Sequence, residues 1–169
     1  MKAKVTSPLM IGRFHCLSNY RGIRMSMDEY RTMLKYKVKS CYKVGFMMKN
    51  IGLITDELQN FSFADIKCIS NFNLSFQKEY NVHSSLLDID FIIEGSGNDY
   101  LVQFRFHNPQ SISFESGGLY HQISLRIEDI TERGWEKMKF EVEDYEESTL
   151  HFFCSEIEIL SISETNYVS

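Results

Sequence analysis

The stretch "LLDIDFIIEGSGNDYLVQFRFH" (Leu86–His107) decides the fold. Leu87, Ile89, Phe91 and Ile93 alternate with Leu86, Asp88, Asp90 and Ile92. A period of two is the signature of a strand with one face turned to a core. Glu94-Gly95-Ser96-Gly97-Asn98-Asp99 is turn-rich. Past it, Tyr100, Val102, Phe104 and Phe106 alternate with Leu101, Gln103, Arg105 and His107. One antiparallel register suits both runs. It sets Ile93 opposite Tyr100, Phe91 opposite Val102, Ile89 opposite Phe104 and Leu87 opposite Phe106. The same register puts Asp88 across from Arg105 on the other face. A one-residue slip would invert every face, so the agreement of apolar and charged pairs specifies the pairing.

Downstream the same logic predicts a second hairpin. Ile112 and Phe114 lead across Ser116-Gly117-Gly118 to Ile123, Leu125 and Ile127. His121 then falls opposite Phe114, facing inward as a packed histidine. The following strand sets Ile127 opposite Phe140 and Leu125 opposite Val142, which brings Glu128 to Lys139 and Arg126 to Glu141. A last strand spans about Leu150 to Ile162. Its inward parity changes between Ile159 and Leu160, which predicts a bulge or strand end there.

Upstream the period lengthens. Ser26-Met27-Asp28-Glu29 has the form of a capping box. Tyr30, Met33, Leu34, Val38, Cys41, Gly45 and Met48 recur at three- and four-residue steps. Arg31, Lys35, Lys39 and Lys43 make a basic stripe on that helix, which Gly52 would stop. Thr55-Asp56-Glu57 and Ser62-Phe63-Ala64-Asp65 open two shorter helices, the second packing through Phe63, Ile66 and Ile69. Residues 1–25, broken by Pro8, Gly12 and Gly22, read as an arm or loosely packed extension. The expected fold is therefore one α+β domain. A helical segment over 26–73 packs on a five- or six-stranded, mainly antiparallel β meander over 74–169.

With 43% hydrophobic and 14% aromatic residues in 169, the chain is a folded globule rather than a disordered tail. No apolar run approaches the length of a membrane span. The basic N-terminus is not followed by a signal-type apolar region. Cys16, Cys41, Cys68 and Cys154 show no CxxC spacing and are expected as reduced, buried thiols, which points to the cytoplasm. The net charge of −5 conceals an asymmetry. Residues 1–50 carry 11 Lys and Arg against two acids, a balance of +9; residues 51–169 carry seven against 21, a balance of −14.

Nine of those acids crowd into "LRIEDITERGWEKMKFEVEDYEE" (Leu125–Glu147). Cross-strand pairing accounts for some of them. Glu132, Glu136, Asp144, Glu146, Glu147, Glu156 and Glu158 are left without obvious partners. Trp135, the only tryptophan, sits in the polar connection Thr131–Glu136. There it either folds back on the core or serves as an exposed anchor of the type enriched at interfaces. Glu132, Trp135, Glu136, Asp144, Tyr145, Glu146 and Glu147 together form the expected partner-binding surface.

Catalytic signatures are weak by comparison. His83 with Asp88 and Asp90 is the one arrangement that could serve a small metal-dependent hydrolase. A D-x-D is short and common, and His83 is most simply a strand-start histidine bonded to backbone. His107, His151 and His15 have no ligands at metal-like spacing. No nucleotide-binding glycine motif occurs, and neither a cofactor nor a metal is expected. The basic helix over 27–49 allows a nucleic-acid-binding alternative, against which stands the acidity of the rest of the chain.

Three stretches resemble a known group: HSSLLDIDF (His83–Phe91), ISLRIEDITERGWE (Ile123–Glu136) and FEVEDYEESTLHFFCSEIEI (Phe140–Ile159). The group comprises small bacterial proteins, largely from Gram-positive bacteria, some of which are regarded as immunity proteins of polymorphic toxin systems. The similarity covers roughly residues 80–162. Members often carry His-Asp-Ser-x-Leu at the first strand, where this chain has Ser84 in place of the Asp. The resemblance implies no catalytic residues. It implies a non-enzymatic protein-binding module that neutralises a cognate toxin by occlusion, and an acidic surface suits a basic toxin domain.

Overall fold

The computed structural model describes residues 48–79, 82–95, 97–116 and 121–167. Among them run one short helix, α1 (Gly52–Glu57), and nine strands. The strands are β1 (Ile66–Glu79), β2 (Val82–Glu94), β3 (Asp99–His107), β4 (Gln110–Phe114), β5 (His121–Gln122), β6 (Leu125–Asp129), β7 (Phe140–Asp144), β8 (Leu150–Cys154) and β9 (Glu156–Thr165). They form two antiparallel sheets, ordered β5-β1-β2-β3-β9 and β4-β8-β7-β6.

This overturns the expected helical segment on a single meander. The helix over 26–47 and its basic stripe lie outside the described residues. From Met48 to residue 73 the chain is mostly not helical. Lys49 is extended and bridges β9, donating its N–H to the Ile157 carbonyl (2.9 Å) and accepting from the Ile159 N–H (3.0 Å). Gly52 begins a helix rather than ending one, and Thr55 to Glu57 close it. The Ser62 capping box does form: Ser62 N–H donates to Asp65 Oδ2 (2.7 Å) and the Ser62 hydroxyl accepts from Ala64 N–H (3.4 Å). It caps only a single 3₁₀ turn, Phe63–Asp65. Ile66 to Ile69 then gain more by pairing with β2, which buries Ile66, Cys68 and Ile69.

The β2–β3 hairpin has the register read from the sequence. Ile93 faces Tyr100, Phe91 faces Val102, Ile89 faces Phe104, Leu87 faces Phe106, and Asp88 faces Arg105. Three other pairings differ. β4 does not turn back on β5 and β6 but pairs with β8, setting Phe114 opposite Leu150, while β5 pairs with β1. The cause is the bend at Asn108-Pro109: Asn108 has φ 51 and Pro109 has no N–H to continue the ladder. The pairing of β6 with β7 is shifted by two residues, so Ile127 faces Val142 and Leu125 faces Asp144. A shift of two preserves the faces and changes the partners on each. The last strand is split at Ser155, whose N–H (3.0 Å) and hydroxyl (2.9 Å) both donate to the His107 carbonyl. Its second half carries the expected bulge, with Gln103 opposite Ser161 and Phe104 opposite Ile159, so that Leu160 is the extra residue.

The β3/β9 ribbon thus bends across into β4/β8, and β5 runs almost directly into β6. The two sheets enclose one core. That core joins Leu87, Ile89, Phe91, Phe104 and Phe106 of one sheet to Val142, Leu150 and Phe152 of the other. Phe106 and Phe152 meet edge to face at 4.9 Å. His121 packs against Phe114 (5.0 Å) as expected, although through a different strand pairing. Cys68 and Cys154 are buried thiols, and burial pushes the Cys154 thiol well above its usual range. No helix among the described residues is long and apolar enough to cross a membrane.

Candidate protein-docking surface

The outer face of β6–β7–β8 carries Arg126, Glu128, Glu141, Glu143, His151 and Phe153. The two-residue shift sets Glu128 opposite Glu141, two like charges across strands, which is destabilising unless a cation intervenes. Arg133 supplies it, bonding Glu141 (2.6 Å) and Glu128 (3.1 Å) from the β6–β7 connection. Gly134, with φ 75, lets the chain reverse directly after that arginine. His151 Nε2 lies 3.1 Å from Glu141. Burial alone would raise the Glu141 carboxyl, but the bonds to His151 and Arg133 outweigh it and hold it below its usual range. Arg126 bonds Glu143 through both Nε (2.7 Å) and Nη2. The acids of these strands are thus neutralised within the fold.

Asp144 is consumed differently. At 2% exposure it is the one buried charged residue among those described. Its carboxylate accepts from the Ser124 N–H (3.1 Å), the Thr149 N–H (3.3 Å) and the Thr149 hydroxyl (2.7 Å). Burial pushes its pKa up; the bonds from Thr149, Ser124 and the Glu146 backbone push it further down, so Asp144 stays ionised below the usual carboxylate range. It locks the turn that follows. Ser148 donates to the Asp144 carbonyl (3.0 Å) and Tyr145 to the Ser124 carbonyl (3.1 Å).

That turn presents Tyr145, half exposed, beside exposed Glu146 and Glu147. Glu146 accepts from the Ser124 hydroxyl (2.9 Å). The three line a cleft of about 240 Å3 together with Lys67, Gln122 and Ser124. Lys67 is tied to Glu94 (2.8 Å), so its charge is already balanced and the rim stays acidic.

The seven residues expected to form one surface are therefore not all together. Asp144 is interior. Tyr145, Glu146 and Glu147 stand at one end of β7; Glu132, Trp135 and Glu136 stand at the other. The five residues of β7 separate them by about 14 Å. Trp135 is half exposed and leans on the Phe153 ring (4.9 Å), so it is both partly folded back and partly presented. Glu156 and Glu158 also have partners: Lys49 meets Glu156 (2.6 Å) and His107 meets Glu158 (3.2 Å).

His83, Asp88 and Asp90 do not converge. His83 alternates onto the opposite face of β2 from the two aspartates, and Arg105 binds Asp88 with two bonds (2.8 and 2.9 Å). Among the described residues, no group of three or more His, Cys, Asp or Glu could hold a metal ion. The sequence reading missed Ser124 and Thr149 as the anchors of Asp144. The signal was present: an Asp at a strand end, followed by Ser-Thr after a short polar run, is a side-chain-to-backbone turn in waiting. Comparison with protein-family models, with curated proteins and with solved structures yields no match to this chain.

Proposed function

We propose that this protein is a non-enzymatic, protein-binding module that presents the Tyr145-Glu146-Glu147 turn and its cleft to a basic partner. The observation that carries this reading is the pairing of rigidity with exposure. Asp144 fixes the turn from within, while a half-exposed tyrosine and two exposed carboxylates are held outward. A preorganised aromatic anchor flanked by like charges suits a partner of opposite charge, because little ordering entropy is lost on binding. Complementary charge also speeds and selects encounter. The resemblance over residues 80–162 makes a basic toxin domain the preferred partner and immunity the preferred role, in a cytoplasm that keeps the buried thiols reduced.

The test is affinity capture from native lysate with and without nuclease, run side by side with Glu146→Lys/Glu147→Lys. A stoichiometric basic protein that survives nuclease and is lost by the double variant is the expected result. Retention of the same partner by a stably folded double variant would remove this surface. Recovery of nucleic acid alone would favour the basic segment 27–49 instead.

A further inference from the structure

We propose that the edge of β1 from Asn71 to Gln77, with which no described residue pairs on the side away from β2, is a homodimer interface that pairs antiparallel with the same strand of a second copy about a two-fold axis at Leu74. β1 is 14 residues long, yet among the described residues β5 covers it only at Cys68 and Ile69. Beyond Ile69, no described residue hydrogen-bonds to the side of β1 away from β2. The register shifts of β1 both lie in its covered half; from Asn71 onward its pairing with β2 is regular. Exposed edges are normally guarded by charge, proline, bulges or shortness. Asn71–Gln77, past the bulge at Ser70, has none of these: it is regular, uncharged and free of proline.

Its side chains alternate. Phe72, Leu74 and Phe76 lie on the core-facing side, with exposure rising outward: Leu74 is 38% exposed and Phe76 79%. Asn71, Asn73, Ser75 and Gln77 lie on the other side. A two-fold axis at Leu74 sets Phe72 opposite Phe76, Leu74 opposite Leu74, Asn73 opposite Ser75 and Asn71 opposite Gln77. Moving the axis by one residue puts Phe72 opposite Lys78 or Phe76 opposite Ser70. Only the Leu74 centre matches every apolar side chain with another, and the face rule makes such a match specific. The pairing also has somewhere to put Phe76. Phe72 already stacks on Phe114 (centroids 4.3 Å apart, planes 2° apart), and the second copy's Phe76 would extend that stack. Since the contact uses the same edge of both copies, it closes at two. The interface is distinct from the Tyr145–Glu147 turn and does not depend on the role given to that turn.

The experiment is sedimentation equilibrium of the full chain over a wide concentration series, with Leu74→Lys, Leu74→Cys and Ser75→Cys beside it. The expected result is a wild-type dimer whose Kd rises at least about tenfold in Leu74→Lys, where two like charges oppose each other, with no fall in Tm relative to wild type at dilutions where both chains are monomeric. Under mild oxidation Leu74→Cys should yield a cross-linked dimer absent from wild type, because opposed residues have the spacing a disulfide needs. Ser75→Cys should not, because its copies are offset by two residues. A wild-type chain that stays monomeric throughout, a dimer indifferent to Leu74→Lys, or cross-linking through position 75 rather than 74 would each overturn the proposal.

Discussion

On the outer face of β6–β7–β8, Glu128, Glu141 and Glu143 each meet an arginine within hydrogen-bonding distance, and Asp144 is sealed beneath the following turn. Two and three residues further on, Glu146 and Glu147 are exposed on that turn, and no arginine or lysine meets them among the described contacts. These groups have the same chemistry and near-adjacent positions, yet opposite employment. Charge density in the sequence does not distinguish them. What separates them is whether the backbone carries the carboxylate over a neighbouring strand, where an arginine bonds it, or out on a turn, where no described contact with a cation is made. The acids of the strands hold the fold, and the acids of the turn are available to a partner.

The division can be broken most severely at Asp144. Asp144→Ala leaves the Ser124 N–H, the Thr149 N–H and the Thr149 hydroxyl without their acceptor, and should cost about 2–4 kcal/mol of stability by urea unfolding. Beside Glu141, whose carboxyl is also held low, the same residue should contribute to the acid limb. Its folded pKa is depressed, so its contribution is present above the unfolded carboxylate value of about 3.9 and is lost as pH falls through the lower folded value. Stability measured from neutral pH downward should therefore fall less steeply in Asp144→Asn than in wild type. Arg133→Ala leaves Glu128 and Glu141 facing each other and should cost about 1 kcal/mol, a loss that high salt shrinks by screening the repulsion. Trp135→Ala removes a half-exposed ring from Phe153 and should cost only about 0.5–1 kcal/mol.

The expected architecture did not hold, but two of its local features were legible. The β2–β3 register followed from apolar alternation together with Asp88 and Arg105, and the Leu160 bulge from a parity change. Pairings between strands joined by longer or bent connections were not legible. Nothing local to Ile112 and Phe114 says that β8 rather than β6 will lie beside them; that depends on the Asn108-Pro109 bend and the distant Ser155. The sheet was expected only from residue 74; its start at Ile66 was obscured by the helix-like signal at Ser62, since a capping box commits the chain to one turn only. Of the candidate surface, the acidic turn and Trp135 were visible as residue types. Their separation to opposite ends of β7 was not, because proximity in sequence hides an intervening strand.

The most direct test of the division is urea unfolding of Glu146→Lys/Glu147→Lys beside Asp144→Ala under one set of conditions. The account predicts that the double turn variant stays within about 0.5 kcal/mol of wild type, as surface changes do, while Asp144→Ala loses several times more. A turn variant that unfolds as readily as Asp144→Ala would mean that the exposed acids also hold the fold, and the assignment of that turn to a partner would fall with it.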